Sequence, residues 1–219
     1  MGDHLEVMTD GESRSLAGDA SVLLADGRTV RIRPIRPDDE ERLVDFHSRL
    51  SADTIYRRFF NAHPRLTPAE VYRFTHLDYR DRFALVCVDD AGRILGVGRY
   101  DRAPGTDTAE VAFVIEDALQ GQGLGSQLLR RLARVAVTYG IRRFEAQTFV
   151  DNVRMLAVFR HAGFDETAHL VGGLMNVTLD LESGPARERA HGRPSDVDRR
   201  QPQRGSRSAW DFSHDGRDF

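Results

Sequence analysis

The chain has 219 residues, 40% of them apolar, and a formal net charge of −3. That size fits one domain with flanking segments, and the balanced charge gives no general pull toward nucleic acid or an anionic membrane. No stretch approaches the ~18 apolar residues that cross a bilayer. The polar start, with Asp3, Glu6, Asp10 and Glu12 and no apolar h-region, is not a secretory signal, so a cytoplasmic protein is expected.

Residues 1–20 lack periodicity and read as a disordered lead-in. Ser21 to Ala25 and Arg28 to Ile35 read as strands joined by Asp26-Gly27, a hairpin turn signal. Pro37 followed by four acids opens a helix whose buried stripe is expected to be Leu43, Val44, Phe46, His47 and Leu50. Ser51 to Phe60 reads as a second helix. Thr67-Pro68-Ala69-Glu70 combines a capping box with proline at the first helical position, and predicts a third helix to about Thr75.

Three strands follow, at Arg82 to Val88, Arg93 to Tyr100 and Thr108 to Ile115. The lone Cys87 sits in the first of these as a packed thiol, and excludes an internal disulfide. Leu124 to Tyr139 is the clearest helix, with Leu124, Leu128, Leu129, Leu132, Val135 and Ala136 on one face and Gly140 as its stop. A strand (Arg143 to Phe149), a helix (Asn152 to Ala162) and a last strand (Asn176 to Leu181) complete a folded region over 21–182. From 183 to 219 the chain turns polar and Arg-rich, with too few apolar residues to fold alone.

One motif carries chemistry. Gln120-Gly121-Gln122-Gly123-Leu124-Gly125-Ser126 joins a strand to the best helix, so backbone N–H groups and the helix start converge where an anion such as a pyrophosphate could sit. A dinucleotide fold would use a similar turn, with Glu145 on the ribose. Against it, Glu116 to Gln120 intervene between the strand and the first glycine, and the chain has too few βα units for a six-stranded sheet. His47, His63, His76, His161 and His169 lack metal-ligand spacing, so no metal is expected.

The loop matches the Q/R-x-x-G-x-G/A signature, and the segment from Ala109 to Phe164 resembles the acetyl-CoA core of the GNAT superfamily of N-acetyltransferases. That resemblance implies a mixed α/β fold with a mainly antiparallel central sheet, splayed near Ile115 and Phe144 to admit acetyl-CoA. It implies that Phe113, Val114 and Ile115 pair with pantetheine, that Gly121 through Ser126 hold the pyrophosphate with Gln120 also on the cofactor side, and that Asn152 lies by the departing thiol. Many members place a Tyr seven residues after that Asn; here the position is Phe159, which has no proton to give.

Ala109-Glu110-Val111-Ala112-Phe113, Arg33-Pro34-Ile35-Arg36-Pro37-Asp38 and Tyr56-Arg57-Arg58-Phe59 are further similar to Pat-type bacterial protein lysine acetyltransferases. This implies Glu110 as general base, a protein lysine as acceptor and an acyl-CoA-synthetase-like enzyme as a target. The twenty residues before Ser21 are too few for the cyclic-nucleotide-binding domain that some members carry. A small-molecule amine, a protein N-terminus, or a non-catalytic acyl-CoA-sensing role stand as alternatives. Arg57 and Arg58 fall where acceptor-side helices lie, and Arg130, Arg131 and Arg134 on the long helix are candidates for a CoA phosphate. All 31 basic residues are Arg, so an enzyme of this sequence that acetylated lysines would find none of its own to modify.

Overall fold

The computed structural model describes residues 19–63 and 65–184. Nearly all of the lead-in over 1–20 and the tail over 183–219 lies outside them.

Among the described residues one sheet of eight strands runs in the order β1-β2-β3-β4-β5-β6-β8-β7. Its strands are β1 (Ala20–Leu23), β2 (Thr29–Pro34), β3 (Arg82–Val88), β4 (Ile94–Arg102), β5 (Thr108–Ile115), β6 (Arg143–Phe149), β7 (Asp165–Val171) and β8 (Leu174–Asp180). Every neighbouring pair is antiparallel except β5 and β6. A parallel pair needs a crossover, supplied here by the helix α4 (Leu124–Thr138). The remaining helices are α1 (Glu40–Ser48), α2 (Ala52–Phe59), α3 (Pro68–Thr75) and α5 (Val153–Arg160).

β3 explains why the sheet is covered on both faces. Its apolar run sends Phe83, Leu85 and Cys87 into a core shared with Leu128, Leu129 and Leu132 of α4. Ala84, Val86 and Val88 enter a second core with Phe46, Ile55, Phe59 and Phe74 from α1, α2 and α3. A strand buried on both faces reads as a continuous hydrophobic run. Burial pushes the Cys87 thiol up to about 12, consistent with a packed side chain.

A buried ion pair pins α1 to β2. Asp39 is fully buried and takes both arms of Arg33 at 2.7 Å, together with the Arg36 backbone N–H at 2.9 Å. Burial alone would raise the Asp39 pKa; the hydrogen bonds from Arg33 and Arg36 outweigh it and hold the carboxyl below its ordinary range.

Two sequence expectations need correcting. Val44 is 46% exposed, so the buried stripe of α1 is Leu43, Phe46 and His47 with Leu50 beyond its end. A strand is also missing from the sequence reading: Asp165–Val171 is exposed at every position and shows no alternation. Its signal was the Gly172-Gly173 turn to β8, where both residues hold positive φ (60° and 85°), as a tight hairpin of the mirror-image type demands.

Candidate functional site

β5 is paired on both sides only over its first three residues. The parallel register is Thr108↔Arg143, Ala109↔Phe144 and Glu110↔Glu145, and there it stops. From Val111 to Ile115 the strand keeps β4 as neighbour while β6 departs. The opening is a cavity of about 620 Å³, walled by β5, α2, the glycine loop, β6 and α5. One strand edge is therefore left facing the cavity, able to hydrogen-bond an extended guest as an added strand would.

The glycine loop forms the second wall. Gly121 (φ 80°) and Gly123 (φ 83°) adopt the left-handed conformation, which glycine enters at no steric cost. Gly123 caps α4, and the first helical bond is donated by the Gln127 N–H to the Gly123 carbonyl at 3.2 Å. The N–H groups of Leu124, Gly125 and Ser126 consequently have no intrahelical acceptor and suit an anion. Gly125 has a different reason to lack a side chain: a Cβ there would stand 2.8 Å from Cγ2 of Val158 on α5. All the expected cofactor-side residues line this cavity (Phe113, Val114, Ile115, Gln120, Gly121, Gly123, Leu124, Gly125, Ser126 and Asn152) except Gln122. Gln122 is partly buried, and its Oε1 has no hydrogen-bond partner.

Gln120 serves as a brace. Its Nε2 donates to the Ile115 carbonyl and to Thr54 Oγ1, each at 3.1 Å, while its Oε1 accepts from Arg154 at 3.0 Å. Asp117 ties the same turn to the start of α2, accepting from the Ser51 backbone N–H (3.0 Å), Ser51 Oγ (2.6 Å) and Thr54 Oγ1 (2.8 Å). Partial burial would raise the Asp117 pKa, but these bonds lower it on balance. Asn152 caps α5, its Oδ1 accepting the Met155 N–H at 3.2 Å, and it also lines the cavity. Phe159, seven positions on, is buried in the cavity wall and offers no hydroxyl.

The third wall carries charge. Glu110, half-buried, lines the cavity at the point where β5 and β6 part, with Arg57 and Arg58 across from it on α2. Arg57 spans the mouth, reaching Asp53 on its own helix at 2.8 Å and Asp151 before α5 at 2.8 Å. Those hydrogen bonds raise the Arg57 pKa and lower that of Asp151. Tyr56 stacks on Phe149 across the same gap, with ring centroids 5.4 Å apart. Burial pushes the Arg58 guanidinium down to about 10, with Arg99 adding to the effect and Glu110 and Asp101 opposing it.

The arginines of α4 stand elsewhere. Arg130 donates to the carbonyls of His161 and Ala162 at 2.7 and 3.3 Å, closing the end of α5. Arg131 is partly buried, and burial lowers its pKa. None of the three lines the cavity. Among the described residues no cluster of three or more His, Cys, Asp or Glu could hold a metal ion, and no helix is long and apolar enough to cross a membrane.

A model of the acetyltransferase (GNAT) family matches residues 50–164. The chain belongs to that family. It is 34% identical over 139 residues to the acetyltransferase Pat of Mycolicibacterium smegmatis, a match spanning 63% of this chain and 41% of that protein's length. The crystal structure of the GNAT domain of S. lividans PAT is 41% identical, covers 74% of this chain and 96% of its own, and superposes with a TM-score of 0.69. The fold alone is shared with yncA from Salmonella typhimurium, determined with its cofactor acetyl-CoA (20% identity, 71% of this chain and 96% of that one, TM-score 0.57). The mixed sheet with its parted β5 and β6 is thus the GNAT fold.

Proposed function

We propose that this chain transfers an acetyl group from acetyl-CoA to the side-chain amine of a protein lysine, with Glu110 as general base. The observation that carries the reading is that Glu110, the parted edge of β5 and the glycine loop all face one cavity. The loop amides at Leu124, Gly125 and Ser126 suit a pyrophosphate, and the Val111–Ile115 edge suits the extended pantetheine arm. Those residues fit acetyl-CoA, which supplies the activated acetyl group.

The chain's own residues do the rest. An ammonium has no lone pair, so the acceptor must shed a proton before it can attack. Glu110 takes that proton, directly or through a water, a role that contributes roughly 10²–10⁴-fold. The backbone near Ile115 polarises the thioester carbonyl, and the Gln120 brace keeps that strand end in place. Asn152 orients the thiol end of the arm. Phe159 cannot protonate the leaving sulfur, and a thiolate departs without an acid from the protein.

The test is CoA release from acetyl-CoA with lysine-bearing proteins, peptides and free polyamines as acceptors, for the wild type and Glu110→Gln. The expected result is protein-dependent release that falls at least ~100-fold in the variant while acetyl-CoA affinity is kept. Binding without turnover on any acceptor would overturn the enzyme reading in favour of an acyl-CoA sensor. Turnover on polyamines alone would overturn the protein lysine.

A further inference from the structure

Three carboxylates lie side by side across the sheet where the cavity begins. Asp101 of β4 is directly opposite Glu110 of β5, and Glu110 is directly beside Glu145 of β6. Alternation along each strand puts all three on the face covered by α1, α2 and α3, because Val111, Phe144 and Tyr100 occupy the opposite core. Neighbouring strands lie ~4.8 Å apart, so Glu110 has a like charge on either hand. Like charges directly opposite one another on a sheet repel unless cations face them.

The cations are unevenly shared. Asp101 is held by Arg99 at 3.1 Å and by Arg82 at 3.3 Å, and Arg99 lies over the Phe74 ring with Arg73 of α3 nearby. Arg143, on the same face of β6 as Glu145, is bound to Asp107 at 2.5 Å. On α2, Arg57 is turned to Asp53 and Asp151. Arg58, partly buried and with its guanidinium 5.0 Å over the Phe59 ring, lines the cavity with Glu110 and feels both Glu110 and Asp101. Arg58 also stands in the partition between two cavities: it lines the large one beside Glu110 and a small apolar one beneath it, along with Ala112 and Val114.

Resting on Glu110 as the base, we infer that Arg58 is its positioning residue, keeping the middle carboxylate of the row ionised and turned to the cleft. A base that must accept a proton from an ammonium is useless once protonated. Without the guanidinium, two flanking carboxylates would protonate Glu110 at higher pH. The arrangement therefore sets the lower pH boundary of the reaction from outside the reacting atoms.

The experiment is the pH dependence of kcat/KM, with one lysine acceptor and saturating acetyl-CoA, for the wild type, Arg58→Met, Arg58→Lys, Glu145→Gln and Glu110→Gln. Removing the charge in Arg58→Met should move the acidic limb up by about one pH unit or more, with activity largely recovered above it. Arg58→Lys should keep the limb and lose kcat several-fold, since a flexible ammonium replaces a planar fork. Glu145→Gln, on a half-buried position that tolerates an amide, should move the limb the other way and remains informative if Arg58→Met does not fold. Coincident limbs in Arg58→Met and wild type, or an unmoved limb in Glu145→Gln, overturn the inference while Glu110 stands as base. Full turnover in Glu110→Gln overturns both together.

Discussion

Two arginine–carboxylate groups flank the same layer of helices, and they are built to opposite ends. Arg33 and Asp39 form a closed pair: two parallel bonds at 2.7 Å, a backbone donor at 2.9 Å, and essentially no solvent on the carboxylate. Arg58 and Glu110 face a cavity of about 620 Å³, with a row of like charges on the glutamate's flanks. The first has its hydrogen-bonding capacity consumed by the fold. The second places a carboxylate on the wall of a cavity. What separates the two is surroundings: the charges are alike, but Asp39 is sealed from solvent while Glu110 lines a cavity.

The comparison can be broken most strongly at the closed pair. Asp39→Ala strands a buried guanidinium and should cost about 3–5 kcal/mol of stability, read as a drop in the denaturant midpoint. Acetyl transfer by whatever remains folded should keep wild-type kinetics. The pair also has a pH signature. Because the folded Asp39 pKa is lowered, its stabilisation is complete above the unfolded carboxyl value of ~3.9 and is lost as pH falls through the lower folded value. The variant should lack that portion of acid unfolding.

A second substitution sharpens the contrast from the glycine wall. Gly125→Val places atoms where even a Cβ meets Val158 at 2.8 Å, and should cost about 1–3 kcal/mol through overpacking. Its diagnostic effect is on acetyl-CoA: affinity measured by calorimetry should fall tenfold or more, with the acidic limb of the pH profile unmoved. The smallest effect is expected at the mouth. Arg57 is only partly buried and its carboxylates are exposed, so Arg57→Ala should change stability by at most ~1 kcal/mol, and less in high salt. A larger loss would mean that the strap across the mouth organises the cleft.

These walls were unequally legible in the sequence. The glycine loop could be read because its constraints are local: Gly121 and Gly123 need positive φ, and α4 begins at the next residue. The core could be read because β3 and α4 carry plain periodicities. Glu110 stood out only through resemblance, since one Glu on an alternating strand looks like any solvated edge residue. The carboxylate row was out of reach. It depends on the register of β4, β5 and β6, and the partners Glu110 and Glu145 meet only because a whole helix intervenes. The part Arg130 plays in closing the end of α5 was illegible for a related reason: charge on a helix face says nothing of a neighbouring helix end that needs a donor. β7 escaped because no residue in it is buried, so no pattern was imposed on its sequence.

The short seam between β5 and β6 has a mechanical consequence. Five strands pair in succession on one side, and three on the other, where β6 and β8 match over seven residue pairs. Only three pairs stitch the two leaves together, and the last of them is Glu110↔Glu145. Any change in how far the leaves stand apart pivots at that stitch, so the residue at the hinge pin is the one proposed above as the base. Cleft width and the aim of the base are one degree of freedom.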